Sequence, residues 1–343
     1  MQSRSIHCAL VALALAFPVI ADAHGFAGKR FFPATLATED PFVADELSLP
    51  TVLWQKLPGE GGAPGTRETH FSTEFAKRIT ENLGVGIGTT YKIVRPDAGE
   101  TQRGFDNLEV HFKYAFYRND AHEAIVSAGI DWDIGGTGAR RVGAESFSTI
   151  TPAVFFGKGL GDLPDDVKWL RPLAITGQVG VGFPTRSSTT AAGDDEETAT
   201  KALVQRSALL GSRELRHGGH AHGASDGDGD VERHPHTLDW AFSIQYSLPY
   251  LQSFVQDVGL TAPFNRVIPV VEFAMSTALD RGASGTTGTV NPGIIWAGQN
   301  IQLAIEAVIP INRRSGDSVG VLAQLHFFLD DLFPQTLGRP LIR

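Results

Sequence analysis

The densest group of side chains that could do chemistry lies in residues 216–237, RHGGHAHGASDGDGDVERHPHT. Imidazole and carboxylate groups are common ligands of zinc, copper and nickel, and the intervening glycines would let the chain fold around an ion. The segment therefore predicts a divalent-metal site, and the competing interpretation is a solvated polar loop without a ligand. The candidate ligands are His217, His220, His222, His234 and His236.

Two other parts of the sequence bear on metal chemistry. DGDGD (226–230) begins like a calcium-binding loop, but Val231 stands where that loop needs glycine and Thr237 where it needs glutamate. His24 could bind copper through its amine and its imidazole if cleavage makes it the mature N-terminus. The cofactor prediction is therefore no cofactor, or a divalent metal (zinc, copper or nickel) at the histidine cluster.

Several large enzyme classes are recognised by short motifs that this chain lacks. It has no phosphate-binding loop, no complete GxGxxG fingerprint and no HExxH motif, and GKGLG (157–161) indicates a glycine-rich turn. We therefore predict no catalytic residues and no enzymatic activity. The enzymatic alternative is a lipid hydrolase on a barrel, which would need a serine and a histidine close together at the outer rim.

Most of the chain alternates apolar and polar residues with a period of two. In LEVHFKYAFYR (108–118), apolar side chains alternate with Glu109, His111 and Lys113. Successive side chains of a strand point to opposite faces, so this pattern predicts a strand with one apolar face and one polar face. The same alternation occurs in residues 84–94, 123–134, 238–248, 301–309 and 318–328.

The lengths of these segments favour membrane-spanning strands over the shorter strands of a soluble sandwich. The pattern predicts twelve antiparallel strands, an even number that places both termini on the periplasmic side. Short connections such as TENLG (80–84) would then lie in the periplasm and long ones outside. The predicted strands are 45–56, 68–79, 84–94, 107–118, 122–134, 147–157, 168–183, 237–248, 265–280, 289–297, 301–311 and 318–329. The fold class is therefore an all-β transmembrane barrel.

The first 23 residues read as a secretory signal, because Arg4 precedes an apolar stretch and Ala21-Asp22-Ala23 fits a cleavage site. We expect export to the bacterial outer membrane with cleavage after Ala23. The expected organisation is a signal peptide (1–23), a periplasmic N-terminal segment (24–44), a barrel (45–329) with a long outer loop (184–236), and a C-terminal tail (330–343).

Composition excludes several classes of protein. Cys8 is the one cysteine and lies in the signal, so the mature chain would have neither disulfides nor thiolate chemistry. The formal charge of −9, without a basic cluster, argues against nucleic-acid binding. After the signal no apolar run reaches the length of a transmembrane helix, so any membrane span of the mature chain must be a strand.

The polar faces of the predicted strands carry charges that a dry protein core would not tolerate. A barrel lumen accommodates them through water and ion pairs. The predicted lumen-lining residues are Glu74, Arg78, Lys92, Glu109, His111, Lys113, Asp131, Asp133, Glu272 and Glu306.

Three stretches carry a resemblance to a known family: FSTEFAKRITENLGVGIGTTYKI, GFDNLEVHFKYAFYRNDAHEAIVSAGIDWDIG and LAITGQVGVGFPT. The pattern, over residues 68–310, resembles the outer-membrane family named for the meta-pathway of phenol degradation, and uncharacterised outer-membrane transporter-like proteins. The resemblance implies a barrel with a role in small-molecule passage. It defines no functional residues, and the histidine-rich loop is not part of the family pattern.

Three functions follow from these observations. The favoured one is passage of small solutes across the outer membrane, with lumen charges and loops setting selectivity. The first alternative is metal binding or sensing by the histidine-rich loop, and the second is lipid hydrolysis. The expected partners are outer-membrane lipids and a small solute.

Overall fold

The computed structural model describes residues 25–59, 64–190, 231–281 and 285–342. The predicted signal peptide, His24 and most of the long polar loop lie outside these residues. No helix among the described residues is both long enough and apolar enough to cross a membrane.

Twelve long strands form the body of the described chain. Each is antiparallel to the next strand along the chain, and β12 pairs back onto β1, so the sheet closes into a barrel. The predicted twelve-stranded antiparallel β-barrel is therefore confirmed. The strands are β1 (Glu46–Leu57), β2 (Thr66–Arg78), β3 (Leu83–Pro96), β4 (Leu108–Asn119), β5 (Ala124–Ile134), β6 (Thr149–Gly159), β7 (Leu173–Pro184), β8 (Thr237–Tyr246), β9 (Val267–Ala278), β10 (Thr286–Ala297), β11 (Ile301–Pro310) and β12 (Gly320–Phe328).

Shorter elements decorate the barrel. The strand Gln102–Phe105 extends the pairing of β3 beyond its contact with β4. Two small hairpins pair Phe26–Ala27 with Arg30–Phe31 and Ser188–Thr190 with Val231–Arg233. Helical turns occur at Asp120–His122, Arg140–Val142, Asp165–Leu170, Leu248–Tyr250, Leu251–Val255, Phe264–Arg266 and Leu329–Leu332.

The outer face of the barrel is apolar because alternate residues of each strand point away from the lumen. Phe112, Ile130 and Ile305 keep 48 %, 47 % and 51 % of their surface exposed, whereas the inward-facing His111 and Lys113 are buried. Closure pairs the backbone groups of every strand, which is the condition for β-structure inside a lipid bilayer. An apolar outside and a polar inside are the arrangement of a membrane-spanning barrel.

Pro50 lies inside β1 without ending it. The pairing of β1 with β2 shifts register between Ser48 and Thr51. The facing strand β12 shifts between Gln324 and His326. Proline has no N–H to donate and is accepted in sheets at such bulges, so the irregularity accommodates Pro50 while the barrel stays closed.

The connections differ between the two ends of the barrel. One end carries the short turns 79–82, 120–123 and 298–300, together with two longer connections, 160–172 and 247–266, that contain helical turns. The described chain enters β1 and leaves β12 at this same end. Barrels of this class place short turns and termini in the periplasm, so we name it the periplasmic end.

The C-terminal tail packs against the periplasmic end. The N–H groups of Leu341 and Ile342 donate to the carbonyls of Arg78 and Ile79, at 3.2 and 2.8 Å. The Arg78 guanidinium donates to the carbonyl of Gly338 at 3.0 Å. The tail therefore covers the turn between β2 and β3.

The middle of the N-terminal segment (residues 25–45) lies inside the barrel. Its two ends lie at the periplasmic end, where the N–H of Gly28 donates to Asp120 Oδ1 at 3.0 Å and Lys77 contacts Asp45 Oδ1 at 2.6 Å. Gln302 of β11 donates to the carbonyl of Ala34, and Lys113 of β4 donates to the carbonyl of Asp40, at 2.6 and 2.8 Å. The sequence predicts a periplasmic position for residues 24–44. The structure keeps the start of the described segment at the periplasmic end, as Gly28 and Arg30 show, but places its middle in the lumen. The physical reason is that inward-facing polar groups of the wall find their hydrogen-bond partners on this segment.

Candidate functional site

The charged residues predicted to line the lumen stand at inward-facing positions of their strands. The expectation of a wet lumen differs from the structure, because many of these side chains are buried: Lys92 is 2 % exposed and Glu272 is fully enclosed. The N-terminal segment and neighbouring side chains occupy much of the space that an open pore would leave to water. The inward-facing predicted residues are Glu74, Arg78, Lys92, Glu109, His111, Lys113, Asp131, Asp133, Glu272 and Glu306.

Glu272 of β9 holds the middle of the N-terminal segment. Its Oε1 accepts the N–H of Leu36 at 2.8 Å, and its Oε2 accepts the N–H groups of Ala37 and Thr38 at 2.7 and 2.5 Å. Hydrogen bonds to an ionised acceptor are stronger than neutral ones, and backbone N–H groups buried without partners are costly. One carboxylate therefore satisfies three consecutive amides of the segment.

A second anchor lies on the other side of the lumen. Lys113 of β4 contacts Glu39 Oε1 at 2.6 Å and donates to the carbonyl of Asp40 at 2.8 Å. Gln178 of β7 accepts the N–H of Glu39 at 3.1 Å. Glu272 on β9 and Lys113 on β4 therefore bind the adjacent segment residues Thr38 and Glu39 from different parts of the wall, which fixes the path of the segment across the lumen.

The start of the N-terminal segment is held at the periplasmic end by Arg30. Its Nε contacts Glu123 Oε2 at 3.2 Å, and its guanidinium lies 3.7 Å from the centre of the Tyr250 ring. Burial lowers the pKa of Arg30, and the Glu123 carboxylate opposes that effect. Burial and the hydrogen bond from its hydroxyl to Glu123 raise the pKa of Tyr250 to about 12. The phenol thus remains a hydrogen-bond donor at neutral pH.

Apolar side chains of the N-terminal segment and of strands β1 and β9–β12 pack into one buried cluster, beside polar inward-facing residues of the same strands such as Asn291 and Gln302. We call this group the dry side. Burying apolar side chains here removes them from water and packs the segment through Leu36. Its members are Leu36, Leu53, Ile268, Val270, Ile295, Ala304, Val308 and Leu322.

Two buried carboxyl groups interrupt the dry side. Glu306 of β11 is 2 % exposed and lies near Glu272. It gets there by lying across Gly293 of β10, where an added Cβ would stand 2.5 Å from Glu306 Cγ. Gly293 therefore gives the Glu306 side chain the room to reach the Glu272 anchor.

The opposite side of the lumen contains a cavity of about 50 Å³. It lies between the N-terminal segment and β1–β4 with β12, and hydroxyl and amide groups make up much of its lining. Five carboxyl side chains also line it: Glu39, Asp40, Glu46, Glu74 and Glu109. We call this region the acidic cavity.

Polar contacts join neighbouring residues towards the outer end of the lumen. Lys92 of β3 forms an ion pair with Asp106. Asn107 donates to Asp133 Oδ1 at 3.0 Å. Asp239 of β8 accepts from Ser276 and Thr237 at 2.6 and 2.9 Å. These contacts join wall residues to one another and do not involve the N-terminal segment.

Only two of the five predicted metal ligands lie within the described residues. His234 is buried against the Phe147 ring, 4.1 Å between centroids, and its Nε2 is 2.9 Å from Thr189 Oγ1. His236 is exposed, and its Nδ1 is 3.2 Å from Asp280 Oδ1. These two imidazoles contact different partners, while His217, His220 and His222 lie outside the described residues. The metal site stays a prediction.

The sequence pattern predicts the inward-facing charged residues, but it does not identify the polar residues that bind the N-terminal segment. Gln178 and Gln302 alternate correctly on their strands, yet nothing in the sequence distinguishes them from other polar lumen residues. Residues 34–41 have no periodicity that would mark them as lumen-bound. A weak signal is the run FF at 31–32 followed by Phe42, since aromatic residues are unexpected in a free, solvated segment.

No protein-family model matches the chain, and no curated protein matches it. The resemblance to the phenol-degradation family therefore stays a prediction.

Solved structures of outer-membrane proteins align with most of this chain at low identity. An outer-membrane channel from Pseudomonas putida F1 is 9% identical, with 87% of this chain and 99% of that chain covered and a TM-score of 0.49. The KdgM porin is 10% identical, covering 82% of this chain and 98% of that chain, with a TM-score of 0.41. The NanC porin is 10% identical over the same shares, with a TM-score of 0.42. At these identities the likeness concerns the fold alone.

Proposed function

We propose that this chain is an outer-membrane channel for small solutes and that its N-terminal segment controls their passage. Its partners are outer-membrane lipids around the apolar outer face and a small-molecule solute inside. The observation that carries the proposal is a hydrogen-bonded chain segment bound inside the polar lumen of a closed barrel.

The chemistry of the contacts supports a segment that can move. Many of the bonds between segment and wall are polar, as at Glu272, Lys113 and Gln302. Water can replace such bonds when the segment moves, so their net contribution is small compared with their number. A segment held in this way can rearrange while the strand ladder of the barrel stays intact.

Planar-bilayer conductance of the purified full chain tests this proposal. Glu272→Ala removes the acceptor of three segment amides, and we expect a higher open probability or a larger conductance than in the wild type. Asp239→Ala is the matched control, because it removes an inward-facing carboxylate whose contacts with Ser276 and Thr237 lie within the wall. The control should stay near the wild-type conductance.

Heat-dependent migration on a detergent gel establishes that each variant is a folded barrel. If Glu272→Ala does not fold, Gln178→Ala removes the acceptor of the Glu39 N–H from β7 and serves in its place. Equal conductance in the wild type, the anchor variant and the control would contradict control by the segment. Absence of current in all three would contradict the channel itself.

Nothing among the described residues favours the metal-binding or the lipid-hydrolase alternative.

A further inference from the structure

The acidic cavity stands out for its imbalance of charge. Five carboxyl side chains line it, and His326 is the only lining side chain among the described residues that can carry a positive charge. Two further basic side chains contact its carboxyl groups from outside the lining: Lys113 binds Glu39, and His111 Nε2 lies 3.3 Å from Glu74 Oε1.

The remaining lining is rich in oxygen atoms. Thr90 Oγ1 donates to Ser72 Oγ, and Gln324 Nε2 donates to Thr51 Oγ1, each at 3.0 Å. Hydroxyl and amide oxygens, like carboxylates, are ligands and water partners that hard cations accept. The whole lining therefore presents a surface that favours positive charge.

Thr38 gives an independent indication of a missing partner. This residue of the N-terminal segment lines the cavity and is 1 % exposed, and its Oγ1 has no hydrogen-bond partner among the described residues. Buried hydroxyl groups are normally satisfied by protein or by ordered water. An unmatched hydroxyl at this cavity can bind a small molecule there, and the carboxyl and hydroxyl oxygens around it favour one that donates hydrogen bonds.

The size of the cavity and the spacing of its ligands define that occupant. A cavity volume of about 50 Å³ has room for roughly three or four water molecules. No three histidine, aspartate or glutamate side chains among the described residues are grouped closely enough to coordinate one metal ion. A cation in this space would keep water in its shell, and one of those waters could donate to Thr38.

We propose that the acidic cavity binds a small hydrated cation and makes the channel cation-selective. This inference rests on the proposed channel function, and it specifies that the solutes that pass most easily carry a positive charge. A low-dielectric wall around a cluster of like charges focuses the field, which concentrates counter-ions and repels anions. Passage past the N-terminal segment is then easier for cations than for anions of the same size.

The reversal potential of the purified full chain in a KCl gradient across a planar bilayer tests the selectivity. We expect K⁺ to be favoured over Cl⁻ by roughly threefold or more in the wild type. Glu74→Gln with Glu109→Gln should move the ratio towards one. Asp166→Asn with Asp257→Asn removes the same charge from exposed periplasmic connections, and it should leave the ratio unchanged.

Binding within the cavity is tested with Ca²⁺ as the probe. Added CaCl₂ should reduce the K⁺ current of the wild type, and Thr38→Val should weaken this block without changing any formal charge. If the wild type shows no preference between K⁺ and Cl⁻, or if the Glu74/Glu109 variant keeps the wild-type ratio, the inference is wrong while the channel function stands. If neither the wild type nor Glu272→Ala passes current, the channel function fails as well.

Discussion

The two sides of the lumen hold the same N-terminal segment by different means. The dry side packs Leu36 among aliphatic side chains and offers one carboxylate, Glu272, to three backbone amides. The opposite side holds Glu39 through Lys113 and leaves the acidic cavity beside it. Apolar packing excludes water, whereas the hydroxyl and carboxyl groups that line the acidic cavity can bind it. The comparison teaches that the acidic side is where solvent and solute can enter while the dry side keeps the segment attached.

The largest effect is expected at the ion pair of the acidic side. Lys113→Met leaves Glu39 and its neighbouring carboxylates without their buried cation. Breaking a buried pair by removing one partner costs about 3–5 kcal/mol. Denaturant unfolding of the barrel in detergent measures the change. Lys158→Met is the control, since its pair with Asp162 is well exposed and should contribute less than about 1 kcal/mol. Equal losses of unfolding free energy in the two variants would show that the Lys113 pair is no more important than an exposed ion pair.

A slightly smaller effect is expected in the packing of the dry side. Leu53 is 1 % exposed, so Leu53→Ala should cost about 2–5 kcal/mol through lost burial and the space left behind. Thr90→Ala on the acidic side removes one hydroxyl that donates to Ser72 and should cost about 1 kcal/mol. The same unfolding measurement compares them. If Thr90→Ala were the more damaging change, our assignment of the two sides would be reversed.

The two sides should not differ on their outer faces, because lipid surrounds both. Ile305 of β11 and Ile130 of β5 are about equally exposed, at 51 % and 47 %. Ile305→Arg and Ile130→Arg should each cost about 2–4 kcal/mol if they stand near the bilayer midplane. Unfolding in lipid vesicles measures both. Tolerance of arginine at either position would mean that this part of the barrel does not face lipid.

The smallest effect concerns the histidine-rich segment 216–237, most of which lies outside the described residues. Titration calorimetry with zinc, copper and nickel should give micromolar binding that is lost at about pH 5, because protonated imidazole has no lone pair to offer. The variant His217→Ala, His220→Ala, His222→Ala should lose it. His236→Ala should retain most of it, since His236 contacts Asp280. Identical isotherms for the wild type and the triple variant would leave the loop as a solvated connection.

The strands could be predicted from the sequence because each strand is marked by a pattern within its own residues. A period of two gives the strand and its two faces, as in residues 108–118, and the even strand number follows from the pattern of connections. Pro50 is accommodated by a β-bulge, and that bulge is visible only in the pairing of β1 with its neighbouring strands.

The occupied lumen could not be predicted because its contacts are remote in sequence. Leu36 and Glu272 are 236 residues apart, and no local pattern connects them. The sequence shows Gly293 only as a glycine within a strand. Its role becomes clear in the structure, where the Glu306 side chain lies across it. Of the five carboxyl groups of the acidic cavity, the alternation predicts Glu74 and Glu109 as lumen-facing. The other three, and the convergence of all five, depend on strand register and on the path of the N-terminal segment.

Hydrogen–deuterium exchange on the purified wild-type barrel tests the central claim most directly. The amides of Leu36, Ala37 and Thr38 are bound to Glu272 inside the lumen, and bound, buried amides exchange slowly. We predict that peptides covering residues 34–42 are protected to nearly the same degree as the strands, and that Glu272→Ala removes this protection while the strands keep theirs. Exchange of residues 34–42 in the wild type at the rate of a free chain would contradict a lumen occupied by the N-terminal segment.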